Sequence, residues 1–171
     1  MIRLTALALA ALSVPPATAG PTAPPTASAP SASAAFERMK ALVGIWRNAD
    51  NPASLLRIRF TLTAGGTVLV EEWRRGTEPH SVTVYHRDGA TLLATHYCPQ
   101  GNQPRLALVT AGKFLRFAFR DATDLDPRTE SHQHELAFDL INPARPVRSE
   151  TYRSAKGDEP SRLILVREAT Q

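Results

Sequence analysis

Two histidine-bearing stretches have the spacing that metal or ligand chemistry needs. His132 and His134 stand two apart, so on an extended strand both rings project from one face, the one that also carries Leu136 and Phe138. His96 and Cys98 share a face with Leu92 and Ala94 in the same way. A two-residue turn at Asp88-Gly89 would set Ser81 opposite His96 and Tyr85 opposite Leu92. Three imidazoles converging inside a sheet make one geometry of a zinc site, with His96, His132 and His134 giving nitrogens and Cys98 a candidate thiolate. Zinc is thus the candidate ion. The plainer alternative is that these histidines contact a ligand or fill space, because no carboxylate is placed by sequence to orient their rings.

Asn102, Gln103 and Arg105 follow Gly101 in a turn and can put polar groups at a cavity mouth, where a bound ligand needs a few orienting hydrogen bonds. Equally, Asn102 and Gln103 can satisfy loop backbone while Arg105 pairs with a surface acid. Cys98 is also explained as a small buried hydrophobe. Glu71 and Glu72 are adjacent on a strand and face opposite ways, so they cannot form a facing acid/base pair. Nucleophile-elbow, P-loop, dinucleotide-glycine and zincin motifs are absent, and no catalytic residue is assigned.

These side chains need a scaffold, and 171 residues with 43% hydrophobic content suffice for one folded domain resting on a packed core. A single cysteine excludes a disulfide framework and a cysteine-only zinc module. Residues 34–43 carry Phe36, Met39, Leu42 and Val43 at helical spacing and predict a short helix that stops at Gly44. Beyond it the pattern has period two. Strands are predicted near 44–49, 55–63, 67–74, 80–86, 90–98, 104–110, 113–120, 131–140, 147–153 and 162–168, separated by turn residues such as Gly65-Gly66 and Asn142-Pro143. The fold class is therefore all-β. About ten antiparallel strands close most economically as an up-and-down barrel, because closure removes exposed edges, and a two-sheet sandwich is the competitor.

The first residues read as an export signal. Arg3 gives a positive start, Leu4 to Val14 is an apolar run too short to span a bilayer, and Ala17-Thr18-Ala19 suits cleavage, so residues 1–19 are expected to be a signal peptide. Residues 20–34 contain only Gly, Pro, Thr, Ala and Ser and are expected to be a linker to a barrel domain at 35–171. Cleavage removes one arginine from a net charge of +4, and the remaining surplus is spread along the chain. A periplasmic or secreted location follows, with no nucleic-acid partner and no transmembrane span expected.

Gly44-Ile45-Trp46 after a short helix resembles the G-x-W opening of lipocalins and their calycin relatives. The resemblance implies a partner in Arg167 on the last strand, lying across Trp46 by a cation–π contact and closing one barrel end. Tyr85-His86-Arg87-Asp88-Gly89, Thr95-His96-Tyr97-Cys98, Gly101-Asn102-Gln103-Pro104-Arg105, His132-Gln133-His134, Glu150 and Tyr152 are similar to a pattern in uncharacterised bacterial lipocalin-like proteins, which bring no activity with them. The haem-binding nitrobindin-type barrel also has about ten strands, but its Gly-rich first strand is replaced here by Arg47-Asn48-Ala49 after Trp46, so haem is not expected. The function expected is an exported lipocalin-like protein holding a small, partly apolar ligand, with Tyr85, His96, Cys98, Asn102, Gln103, Arg105, His132 and His134 as its contacts. The alternatives are a metal-dependent enzyme or metal-binding protein built on the histidines, and an interaction domain with a filled core.

Overall fold

The computed structural model describes residues 31–168; the expected signal peptide and residues 20–30 of the expected linker lie outside the described residues. The last part of that linker is corrected, since helix α1 (Ala32–Met39) begins inside it. Ser31 Oγ accepts from the Ala34 N–H at 3.2 Å, satisfying one of the donors a helix start leaves free. Alanines that read as linker composition are also the best helix formers, and here Ala32 and Ala35 pack with Phe36 and Met39 against the core. A 3₁₀ turn at Lys40–Leu42 ends the helical segment before the expected residue 43.

Ten strands follow: β1 (Gly44–Asn48), β2 (Leu56–Thr63), β3 (Val68–Arg75), β4 (Glu78–Asp88), β5 (Thr91–Tyr97), β6 (Gln103–Ala111), β7 (Phe114–Thr123), β8 (His132–Asp139), β9 (Val147–Ser154) and β10 (Gly157–Arg167). Each pairs antiparallel with its neighbours in sequence, and β1 pairs with β10, so the sheet is a closed up-and-down barrel rather than a sandwich. Alternation produces the core. In β2, Ile58 and Phe60 are buried while Arg59 and Thr61 face out, and in β7 Leu115 and Phe117 point inward between exposed Phe114 and Arg116.

One end is shut. Helix α1 lies over it, with Arg38 donating to the carbonyls of Gly112 and Lys113 at 2.7 and 3.2 Å. Trp46, fully buried, donates its indole N–H to Leu42 O at 2.6 Å. Arg167, its cross-strand neighbour, sits 4.3 Å over the Trp46 ring and donates to Val43 O and Ala41 O at 2.7 and 2.9 Å. Gly44 has a φ of +134°, and a Cβ there would collide with Arg167 Nη1, so glycine is what lets the guanidinium reach across.

The other end is edged by three hairpins that run past their neighbours. β4 pairs with β5 only from Val82, β5 with β6 only at Arg105 to Ala107, and β10 with β1 only from Leu165. Each overhang carries a proline, Pro79, Pro104 or Pro160, where the strand has a ladder on one side only and a missing N–H is tolerated. This is why β10 starts at Gly157 rather than near 162, and β4 at Glu78 rather than near 80. No helix among the described residues is long and apolar enough to cross a membrane.

Candidate functional site

The half of the interior remote from α1 is polar. In β3 the face that carries Leu69 continues through Glu71 to Trp73, and in β9 the inward face is Arg148, Glu150 and Tyr152. Glu71 lies opposite Thr83, Thr83 opposite His96, and Tyr152 opposite Gln133, so register alone gathers these side chains. Glu71, Thr83 and Gln133 are fully buried, and Arg148 and His96 are 2% exposed.

Arg148 is the centre. Its Nε stands 2.7 Å from Glu71 Oε1, and its Nη1 stands 2.8 Å from Glu150 Oε2. Trp73 lies 4.6 Å from the guanidinium as a cation–π partner. Glu71 also receives the Trp73 indole N–H at 2.5 Å and the Tyr85 hydroxyl, while Glu150 receives Gln133 Nε2 at 2.7 Å and the Ser161 hydroxyl at 3.3 Å. Burial works against the charge on Arg148, but Glu150 and Glu71 outweigh it and hold its pKa above the usual arginine value. Burial likewise pushes Glu150 up, and Arg148 with Gln133 more than reverses it, so this carboxyl titrates below its ordinary range. Three buried atoms of this network, Arg148 Nε and Nη2 and Gln133 Oε1, make no hydrogen bond among the described residues, and of these Nε alone has an ion-pair contact, to Glu71.

His96 belongs to the same wall. Its Nδ1 is 2.8 Å from Thr83 Oγ1 and its Nε2 is 3.0 Å from the Tyr152 hydroxyl. Thr83 and Tyr152 thus engage both ring nitrogens, one as donor to and one as acceptor from the neutral imidazole. Burial, and then the nearby Arg148, lower the His96 pKa to about 4, so the ring is neutral. Tyr152 also meets Cys98, and burial followed by Glu150 raises the phenol, which stays a proton donor.

The three histidines do not converge. β8 carries a bulge between Gln133 and Glu135, and the register pairs His132 with Arg153 and Gln133 with Tyr152. The extra residue reverses the alternation, so Gln133 takes the inward place expected for the histidines and reaches Glu150. His132 and His134 instead lie 3.2 Å apart, Nε2 to Nδ1, and pack on Phe119, while His134 Nε2 is 2.7 Å from Arg153 Nη1. Among the described residues no three His, Cys, Asp or Glu side chains are placed to hold one ion, and both ring nitrogens of His96 are already engaged. The expected zinc geometry from His96, His132 and His134 is therefore corrected.

The β4–β5 register is corrected too. The turn is Gly89–Ala90, with Gly89 at φ +57° and Asp88 opposite Thr91, so His96 faces Thr83 rather than Ser81, and Tyr85 faces Ala94 rather than Leu92. A shift of two residues preserves the inward face. Tyr85 stands in the core with its hydroxyl on Glu71, and burial followed by that carboxylate raises its pKa.

The remaining expected contacts are held elsewhere. Asn102 is buried and donates to Ser131 O at 3.0 Å, tying the loop before β6 to the loop before β8. Gln103 bonds Gly101 O and receives the Thr123 hydroxyl at 2.6 Å, and Arg105 makes a two-pronged outer-face bridge to Asp121 at 2.5 and 2.8 Å. Cys98 is a free, half-buried thiol. The sequence reading missed Glu71, Trp73, Thr83, Gln133, Arg148 and Glu150 as one group. Period two from Leu69 points to Glu71 and Trp73. In β9 no large aliphatic side chain marks the inner face, and the β8 bulge that turns Gln133 inward has no signature in composition.

Ten antiparallel strands closed into a ring, one end sealed by a helix and a Trp–Arg pair, make a barrel consistent with the calycin type, an architecture that suits ligand binding in general. The chain matches no protein-family model and no curated protein sequence.

Proposed function

We propose that this is an exported, lipocalin-like binding protein that takes a small, partly apolar ligand into the polar half of its barrel. The observation that carries this is the buried network on Arg148, in which Arg148 Nη2 and Gln133 Oε1 are buried without a hydrogen-bond partner among the described residues. A fold that served stability alone would do as well with apolar residues there, because a buried ion pair gains little over well-packed hydrophobes. Specific polar groups set in an apolar wall are what orient a ligand, and here Tyr85, Phe117 and Leu136 supply that wall. The Gly44-x-Trp46 and Arg167 closure supports the lipocalin-like assignment, and the leader pattern at residues 1–19 supports export to a periplasmic or secreted location.

Native mass spectrometry of the protein purified from its own host tests the reading. A retained small molecule, released on denaturation and lost in Gln133→Leu, is the expected result. A bare polypeptide mass under gentle ionisation, unchanged by the substitution, would count against it.

A further inference from the structure

Beyond the Ala118–Glu135 pair the ladder between β7 and β8 stops: β7 runs on from Phe119 to Thr123 beside β6, while β8 at His132 and Gln133 stays with β9. At the end away from α1 this seam is closed by side chains. Phe119 of β7 stacks on His134 with ring centroids 5.4 Å apart and lies against His132 at 4.7 Å.

The protons of this group have one arrangement. The Arg153 guanidinium can only donate, so His134 Nε2, 2.7 Å from Arg153 Nη1, accepts, and the neutral ring carries its proton on Nδ1. That N–H donates to His132 Nε2 at 3.2 Å, which leaves the His132 proton on Nδ1, a buried atom with no hydrogen-bond partner among the described residues. A further proton meets a donor on either ring. On His134 Nε2 it would point at the Arg153 N–H, and on His132 Nε2 at the His134 N–H. The charged groups that act on the pair are Arg153 on β9, Asp158 on β10 and Glu135 on β8, and β7 contributes the uncharged ring of Phe119. Both carboxylates are engaged already, Asp158 by Arg153 at 2.7 and 2.8 Å and Glu135 by Arg116.

We propose that the β7–β8 seam is opened by protons: uptake of one proton from solvent by His132 or His134 breaks the relay and parts the two strands beyond Ala118, while the rest of the barrel stays closed. The device stands whether or not the interior holds a ligand. In the closed seam both rings titrate below their ordinary value, chiefly because they are buried. Once the seam parts they return toward about 6.5. The closed form is therefore favoured in full above that pH and loses ground as pH falls below it.

NMR of the whole protein tests this, with a chelator present so that only protons compete for the rings. At pH 7.5 ring nitrogen shifts should place Nδ1–H on both His132 and His134, and nuclear Overhauser contacts should join their rings to Phe119. At pH 5 those contacts should be lost, with the Trp46 indole N–H, bonded to Leu42 O at the closed end, unmoved. In His132→Gln/His134→Gln the amide signals of 119–123 should no longer move between the two pH values. Nε2–H on either ring at pH 7.5, contacts that persist at pH 5, or a loss that Trp46 shares would each overturn the proposal, and these three are read on the wild type even if the double variant does not fold. An equal movement of 119–123 in a folded double variant would overturn it as well.

Discussion

His96 shows how burial sets a property that exposure would not. Its imidazole is neutral in the fold because burial and Arg148 both oppose a second proton, and it titrates at about 4 against about 6.5 in the unfolded chain. Between these values the unfolded state binds more protons, so stability rises with pH. The contribution of His96 is fully present above pH 6.5 and is lost as pH falls toward 4, by on the order of 3 kcal/mol in total. His132 and His134 are also lowered, chiefly by burial, and act in the same direction. Urea unfolding from pH 7.5 to pH 4 should therefore show a steeper loss for the wild type than for His96→Gln; parallel curves would mean that the ring is not buried neutral. Arg148 is the opposite case, a buried charge that must keep its partners. Arg148→Met should cost about 3–5 kcal/mol, because Glu71 and Glu150 are left buried without a cation, and adding Glu71→Gln should restore part of that loss. A double variant no more stable than Arg148→Met would show that the two do not share one network.

At the level of elements, the closed end is a joint between the first and last strands. Trp46→Ala should cost about 3–5 kcal/mol, because the ring is fully buried under α1 and the closed sheet cannot collapse onto the space. Arg167→Ala should cost less, and a double-mutant cycle should show coupling, since the guanidinium both covers the indole and binds the carbonyls that precede β1. Additive effects would contradict the joint. This end was legible in the sequence, as were the number of strands and nearly all of their positions, because an apolar residue at every second place leaves one choice of buried face. The site was legible only in pieces. His96 and Tyr152 were visible, but the β8 bulge exchanges His132 and His134 for Gln133, and one unpaired residue in a strand has no marker in residue type. The β4–β5 register failed for a related reason: Asp88-Gly89 and Gly89–Ala90 are both plausible turns, and the ladder, rather than the dipeptide, decides between them.

Over the whole molecule the interior divides into an apolar half under α1 and a polar half between Glu71, His96, Gln133 and Glu150. The helix belongs to the apolar half through Ala32, Ala35, Phe36 and Met39, so mild proteolysis of the mature protein should stop near Ser31 rather than near Phe36. A product beginning near Gly20 before digestion would agree with export and cleavage, and an N-terminus still at Met1 in an envelope fraction would contradict it. The polar half is where the proposed function stands or falls. A crystal structure of the protein purified from its own host measures this most directly. The predicted result is a small molecule inside the barrel at the end away from α1, within hydrogen-bond reach of Arg148 Nη2 and Gln133 Oε1. An interior filled by side chains and water alone, with those two atoms satisfied by solvent and any bound molecule on the outer surface, would contradict it.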